Sequence, residues 1–351
     1  MRPDATALRR ILESGILAPS AENRHYLRFQ VLHDSVRLLS TDHASWVDRP
    51  HRKVLAFLAY GAVLENLALR SAELGYALTA DRLPDPQPPD QVALLRWEPT
   101  SAAPDPLCSA IEARHTNRRF YRRARLPAQT LARLSAAARA SPGADVLWLD
   151  NRHDRALALQ AIRIAETERF RQRELHAELF KDICWDIGWQ NTADHGLPPA
   201  ALQVEWPMRR PFALLRHWKV MRMATWLGAH RALGLRAGYL PCALAPHIGL
   251  LVMQPRLEGP DNLLAGRAFQ RVWLAATAER LALQPMAAAT VLAIQRAGQG
   301  WVSAGVQARL QQRLQALCGH HDAQPALFFR LGQADAPSAV AGRRPLDEYL
   351  S

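Results

Sequence analysis

Apolar residues recur at helical spacing in two stretches that overlay without a gap. GAVLENLALRSAELGYAL begins at Gly61 and GRAFQRVWLAATAERLAL begins at Gly266, an offset of 205 residues (266 − 61). Both open on Gly, carry apolar residues on a 3.6-residue period and end on Ala-Leu. An apolar run of strand length and composition follows each: QVALLRW (91–97) after the first and ALFFRLG (326–332) after the second. Four further short runs, RFQVLHD (28–34), VRLLS (36–40), DVLWLD (145–150) and HIGLLVM (247–253), also predict strands, set between helical segments. The pattern therefore predicts mixed α and β structure in two related halves, 1–104 and 105–351, joined through the loop TSAAPDP (100–106).

The second half contains a segment, roughly 160–245, with no counterpart in the first. It holds Trp185, Trp189, Trp206, Trp218 and Trp226 together with the basic stretch MRRPFALLRHWKVMRM. Leu214, Leu215, Trp218 and Met221 are expected on one helical face, which Arg222 interrupts. Three readings stay open: a lid over a site, a basic amphipathic helix on a membrane surface, or plain packing against the core. The N-terminal MRPDATALRRILESG reads as an amphipathic helix without the apolar core of a secretion signal. No window reads as long and uncharged enough to span a bilayer, so no transmembrane segment is expected and a cytoplasmic location is.

Length and composition agree with two ordinary cores, since the chain has 351 residues and 49% of them are hydrophobic. Cys108, Cys184, Cys242 and Cys318 stand far apart, which argues against a zinc site or redox couple and predicts reduced thiols. CGHHD (318–322) lacks distant ligands, so no metal is expected. His195 and His247 read as structural rather than substrate-touching. A formal charge of +12 favours anionic ligands in general. No helix-turn-helix, zinc finger or ribonucleoprotein motif accompanies it, and no nucleic-acid partner is expected. Walker, Rossmann and Ser-His-Asp signatures are likewise missing from the sequence.

EARHTNRRFY (112–121) concentrates arginine around short hydrogen-bonding side chains. RHTNRRF (114–120) is similar to the Arg-x-Ser/Thr-x-Lys/Arg segment of FMN-dependent nitroreductases, and LAPSAENRHYLRFQV (17–31) resembles their APSxxN-then-strand segment. AERLALQPMAA (278–288) resembles the helix end and loop lying along their flavin, and RLGQADAP followed by GRRPLDEYL (342–350) is similar to their C-terminal signature. The doubled length resembles the fused, Acg-type subgroup, in which one chain mimics the usual homodimer. The resemblance implies an α+β fold, a tandem nitroreductase-like α/β/α sandwich whose two halves form an intramolecular pseudo-dimer, either monomeric or a homodimer.

The resemblance also implies a flavin site shared between the halves. Pro19, Ser20 and Asn23 survive in the first half only; ASPGADV (140–146) stands where the second copy would fall. Arg114 to Arg118 survive in the second half only, which would leave one complete site and one degenerate twin. By that resemblance Arg114 with Arg343 or Arg344 would hold the FMN phosphate, Thr116 would add a hydroxyl, and Arg118 would lie by the N1 and O2 edge, with Asn117 nearby. Guanidinium groups suit phosphate because their hydrogen bonds are bidentate and charge-assisted. Ser20 and Asn23 would bond the pyrimidine edge, backbone groups of Met286, Ala287 and Ala288 would approach N5, and Pro285 would also belong to the cofactor site. No catalytic residue beyond the flavin is implied: NAD(P)H would reduce it, and a small conjugated acceptor such as a nitroaromatic or quinone would reoxidise it. This sequence departs from the pattern at Arg24, His25 and Tyr26, at Arg280 in place of a helix-ending Gly, and at Ala287 in place of an acidic residue. A protein that sequesters FMN without turnover, and a degenerate basic scaffold, remain the alternatives.

Overall fold

The computed structural model describes residues 2–46, 49–82, 90–189, 192–254, 261–294 and 301–351. The first half runs α1 (Ala5–Ile16), β1 (Leu27–Val31), β2 (Val36–Ser40), α2 (Pro50–Glu73), β3 (Tyr76–Arg82) and β4 (Gln91–Pro99). The second half repeats that order. It runs α3 (Ala128–Arg139), β5 (Ala144–Trp148), an insertion, β6 (His247–Met253), α10 (Asn262–Ala278), β7 (Ala282–Met286), α11 (Ala288–Ala293), α12 (Ala304–Cys318) and β8 (Gln324–Gly332). The insertion between β5 and β6 carries α4 (Arg152–Arg171), α5 (Arg173–Lys181), α6 (Arg209–Leu214), α7 (Trp218–Trp226), α8 (Ala229–Gly234) and α9 (Leu240–Leu244).

Both sheets are antiparallel with the same strand order, β1-β2-β4-β3 and β5-β6-β8-β7. The α+β class and the two related halves expected from the sequence are thus borne out. The six runs read as strands all contain one, but β3 and β7 lie where the helical repeat was expected to continue. Gly75 (φ +81°) and Arg280 (φ +56°) explain this: each takes the left-handed conformation just past its helix, which ends the helical period and turns the chain into an edge strand. Pro285 is tolerated within β7 because an edge strand has one side free of ladder bonds.

The repeated helices α2 and α10 pack directly on each other. A Cβ on Gly61 would lie 2.1 Å from the Leu263 carbonyl oxygen, and one on Gly266 would lie 2.2 Å from that of Leu58. The paired glycines that open the two repeats therefore let the backbones of the two halves meet. Around this crossing Gln270 donates to Asn66 at 2.7 Å, and Glu65 accepts from Arg267 and Arg271 at 2.7 Å each. By length and composition α2 could cross a membrane, contrary to the expectation that no window qualifies. Its apolarity has another cause here: α2 is a core helix, buried between α1, α10 and the first sheet.

The insertion also differs from expectation. Leu214 ends α6 and is exposed, while Trp218 and Met221 belong to α7, so the four apolar residues do not share one helix. Leu215, Trp218 and Met221 pack into a separate aromatic cluster with Phe170, Phe180, Trp185 and Phe212.

Candidate functional site

A cavity of about 630 Å³ lies where the two halves and the insertion meet. Its size falls in the range of small-molecule and cofactor sites. The first half supplies the turn after α1, including Pro19, Ser20 and Glu22, and one face of α2, including His51 and Arg52. Thr116 and Arg118 enter from the segment that leads from the linking loop to α3, Trp273 from α10, and Pro285 to Ala288 from the end of β7 and start of α11. The insertion closes a long wall with residues such as Arg169, Leu197, Val204 and Phe212. The insertion thus supplies one wall of the cavity and also packs through its own aromatic cluster.

The turn after α1 is held by arginine. Helix ends leave carbonyl oxygens without partners, and Arg343 meets them: Nε donates to Ile16 at 2.7 Å and Nη2 to Ala18 at 2.9 Å. Arg114 adds a 3.2 Å bond to Leu17 and lies 4.5 Å over the Trp273 ring. Arg343 also donates to the Asn23 amide oxygen, and Asn23 Nδ2 donates to Gly342 at 3.1 Å. Glu22 (φ +50°) and Asn23 (φ +57°) are consecutive left-handed residues. Asparagine tolerates that conformation better than most residues, which gives a backbone reason for its place in the APSxxN-like turn.

The thirteen residues singled out in the sequence therefore divide. Pro19, Ser20, Thr116, Arg118, Pro285, Met286, Ala287 and Ala288 line the cavity together. Asn23, Arg114 and Arg343 form a hydrogen-bonded layer around the α1 turn rather than lining it. Asn117 is buried, donating to the Asp335 carbonyl at 2.9 Å while its backbone N–H reaches Leu283 at 3.2 Å. Arg344 points to the surface and pairs with Glu348 at 3.2 Å. Pro285 and Met286 are the last residues of β7 rather than loop, with Ala287 capping α11. His195 and His247 do not line the cavity; His247 Nδ1 is 2.7 Å from Asp150 and its Nε2 accepts from Leu126 N–H.

Among the described residues the cavity lining holds six carboxylates and five arginines, and Arg118, with Arg114 and Arg343 behind the lining, stands apart from its paired charges. Burial lowers Arg118 to about 10, with Glu22 opposing that shift from a distance. Burial and then the neighbouring Arg343 charge lower Arg114 to about 9, and burial lowers Arg343 to about 10. Among the described residues, none of the three forms an ion pair. Arg118 has one 3.5 Å contact to the Ala201 carbonyl, and buried Arg114 Nε and Ser20 Oγ have no partner. Arg330 shows the contrast: equally without a carboxylate, it donates to Gln284, Pro241 and Arg119 and lies over the Tyr121 ring. An unpaired buried cation is costly, so Arg118 and Arg114 suit an anionic ligand that Arg330 does not need.

Sequence reasoning missed the charged end of the cavity. Arg52 pairs with Glu178 at 2.8 Å and Asp42 at 3.2 Å, and Arg24 with Asp182 at 2.6 Å. Burial raises the Glu22 carboxyl, against the lowering effect of Arg169. Glu178, Asp182 and Arg169 sit on insertion helices or just beyond them and follow no motif; Glu22 and Arg24, in and just after the APSxxN-like turn, lay where a signal existed.

No family model matches the chain. Two proteins of Mycobacterium tuberculosis, from strains CDC 1551 / Oshkosh and ATCC 25618 / H37Rv, are each 30% identical to it over 179 residues. Each is named "Putative NAD(P)H nitroreductase", and the matched stretch is 49% of this chain and 51% of theirs. The chain spans about half the length of the curated relatives it matches. Over that stretch it is similar to nitroreductases. Among solved structures, the FMN-dependent nitroreductase of Mycobacterium smegmatis in complex with NADPH overlays with a TM-score of 0.37 at 17% identity, covering 68% of this chain and 94% of that one. A BluB-like flavoprotein from Clostridium difficile gives 0.37 at 13% identity, covering 70% and 98%. At TM-scores this low the likeness adds nothing to what the site itself carries.

Proposed function

We propose that this chain is an FMN-binding oxidoreductase of the nitroreductase type, a fused pseudo-dimer with one flavin site between its halves. The observation that carries the reading is Arg118: it lines the same cavity as an orphaned Ser20 hydroxyl, with one long contact and no carboxylate partner among the described residues. Those residues fit the group. Arg118 and Thr116, with Arg114 from behind, would hold its anionic parts, while Ser20 would donate or accept at a polar edge. When bound, FMN supplies hydride acceptance and release, so no protein nucleophile is required.

The chain's own residues do the rest. Arg118 favours added negative charge in the cavity, because a preoriented cation in a poorly solvated site needs little reorganisation. Phe212, Leu197 and Val204 from the insertion exclude water and bound the space an acceptor can use. Arg343 and Asn23 fix the turn that presents Ser20. NAD(P)H would be the electron donor, and a small conjugated molecule, nitroaromatic or quinone-like, the acceptor. The insertion wall favours one second reading, a protein that holds FMN without turnover, since the same wall restricts approach of a nicotinamide.

Anaerobic addition of NADPH to the FMN-loaded chain separates these readings. Bleaching of the visible flavin bands is expected. Bound flavin that stays oxidised would replace the oxidoreductase reading with the holding one, and failure to bind FMN would remove both.

A further inference from the structure

The insertion carries a surface that the cavity does not explain. Leu227 is 91% exposed, Trp226 89%, Trp206 79% and Met223 72%, with Met208 and Leu214 also largely open. Tryptophan and leucine at this exposure leave large apolar area in water, and clusters of that kind mark interaction sites. The residues are ordered rather than scattered. On α7, Lys219, Arg222, Met223 and Trp226 are exposed at three- and four-residue spacing, so they share the outward face, while Met221 turns inward and is fully buried.

Charge identifies the partner. From Trp206 to Ala245 the sequence has seven Arg or Lys and no Asp or Glu. Arg236 is neutralised by Glu205, and Arg209 and Arg216 lie over the rings of Trp189 and Trp185. Among the described residues, no carboxylate pairs with Arg210, Lys219, Arg222 or Arg231. Exposed Trp, Met and Leu interleaved with unpaired cations on a short helical segment match the boundary between headgroups and acyl chains, where the rings enter the interface and the cations meet lipid phosphate. The buried inner face distinguishes this from a helix awaiting a protein groove, because α7 already has its packing partner in the aromatic cluster of the insertion.

We propose that this face of the insertion, centred on Met223, Trp226 and Leu227, docks the protein on an anionic lipid surface. Met208, which is also exposed, lines the cavity wall. The inference does not depend on the cavity's ligand.

Co-sedimentation of the full chain with vesicles of phosphatidylcholine alone, or of phosphatidylcholine mixed equally with phosphatidylglycerol, tests it. Binding to the anionic vesicles only is expected, weakening as salt rises from about 0.1 to about 0.5 M because the Debye length shrinks. Trp226→Ser with Leu227→Ser is expected to weaken that binding roughly tenfold or more, and Lys219→Gln with Arg222→Gln to remove much of its salt dependence. All four residues are exposed, so folding is unaffected, checked by an unchanged circular dichroism spectrum. Equal sedimentation of parent and apolar variant, or none with either vesicle, would overturn the proposal. So would a concentration-dependent dimer abolished by the apolar substitutions without vesicle binding, which would assign the face to a second copy.

Discussion

The two sheets share one strand order and differ in what covers them. The first has helices α1 and α2 on one face, and its strands alternate: Leu27, Phe29, Ala93, Leu95 and Trp97 face the core while Arg28, Arg96 and Glu98 meet solvent. In the second, every residue of β6 is buried, because Ile248, Leu250 and Val252 pack toward α4, α11 and α12 while Leu251 and Met253 pack toward α3 and α10. One-sided burial gives alternation and two-sided burial gives a continuous apolar run. The loops diverge further. A short turn from Leu32 to Ser35 joins β1 to β2, closed by a 2.9 Å backbone bond, where the second half places the whole insertion. The shared helix crossing stayed constant while the rim of one half grew into a cavity wall.

That crossing is where the comparison breaks most easily. Gly266→Val would drive a side chain into the Leu58 carbonyl. A loss of roughly 4 kcal/mol or more is expected in urea unfolding, enough to prevent folding of a marginal domain. A cost near zero would mean the halves do not meet through these backbones.

The next effect concerns the asymmetry of the site. The turn after α1 lines the cavity through Ser20, whereas its counterpart after α3, Ser141 to Gly143, does not, and Gly143 (φ +76°) lies against Gln254 instead. Arg118→Gln is therefore expected to weaken FMN about 10- to 100-fold in a fluorescence titration, as loss of a charge-assisted contact does. Arg344→Gln is expected to leave affinity unchanged. Equal effects of the two would deny Arg118 its special place.

A pH effect probes where α2 of the first half touches the second. His51 packs against Trp301 with ring centroids 4.2 Å apart and the rings tilted by 56°, and burial lowers it to about 4, with Arg52 and Arg49 adding to the shift and Glu178 opposing it. The unfolded chain binds that proton near the ordinary value of about 6.5. The His51 contribution is thus complete above pH ~6.5 and lost as pH falls toward 4, where the unfolded state holds more protons. Compared with the parent, His51→Phe is expected to recover about 2 kcal/mol of that acid loss, discounted for partial exposure. Parallel stability-pH curves would contradict this.

The smallest effect separates the two helix ends. Gly75 takes its left-handed turn freely, while Arg280 takes the same turn with a side chain. Arg280→Gly is expected to stabilise by about 1 kcal/mol in thermal or urea unfolding. Destabilisation would show that the Arg280 side chain makes a compensating contact.

What the sequence made legible follows from these contrasts. Strands written as short apolar runs, such as VRLLS and HIGLLVM, were readable, and so were the related halves, because Gly61 and Gly266 serve one close contact. β3 and β7 were obscured because the apolar period runs on past Gly75 and Arg280, and an arginine is not a residue type that marks a left-handed turn. The break between α6 and α7 at Arg216 and His217 also lacks a Gly or Pro signal. Eight of the thirteen candidate residues meet in the cavity, but which arginines face it depends on how the α1 carbonyls are capped, and no local spacing encodes that.

The central claim, one anionic flavin site shared by two unequal halves, is tested most directly by saturating the purified chain with FMN, removing the excess, releasing the bound flavin by heat and counting it. The account predicts one FMN per chain. Two per chain, or none retained, would contradict it.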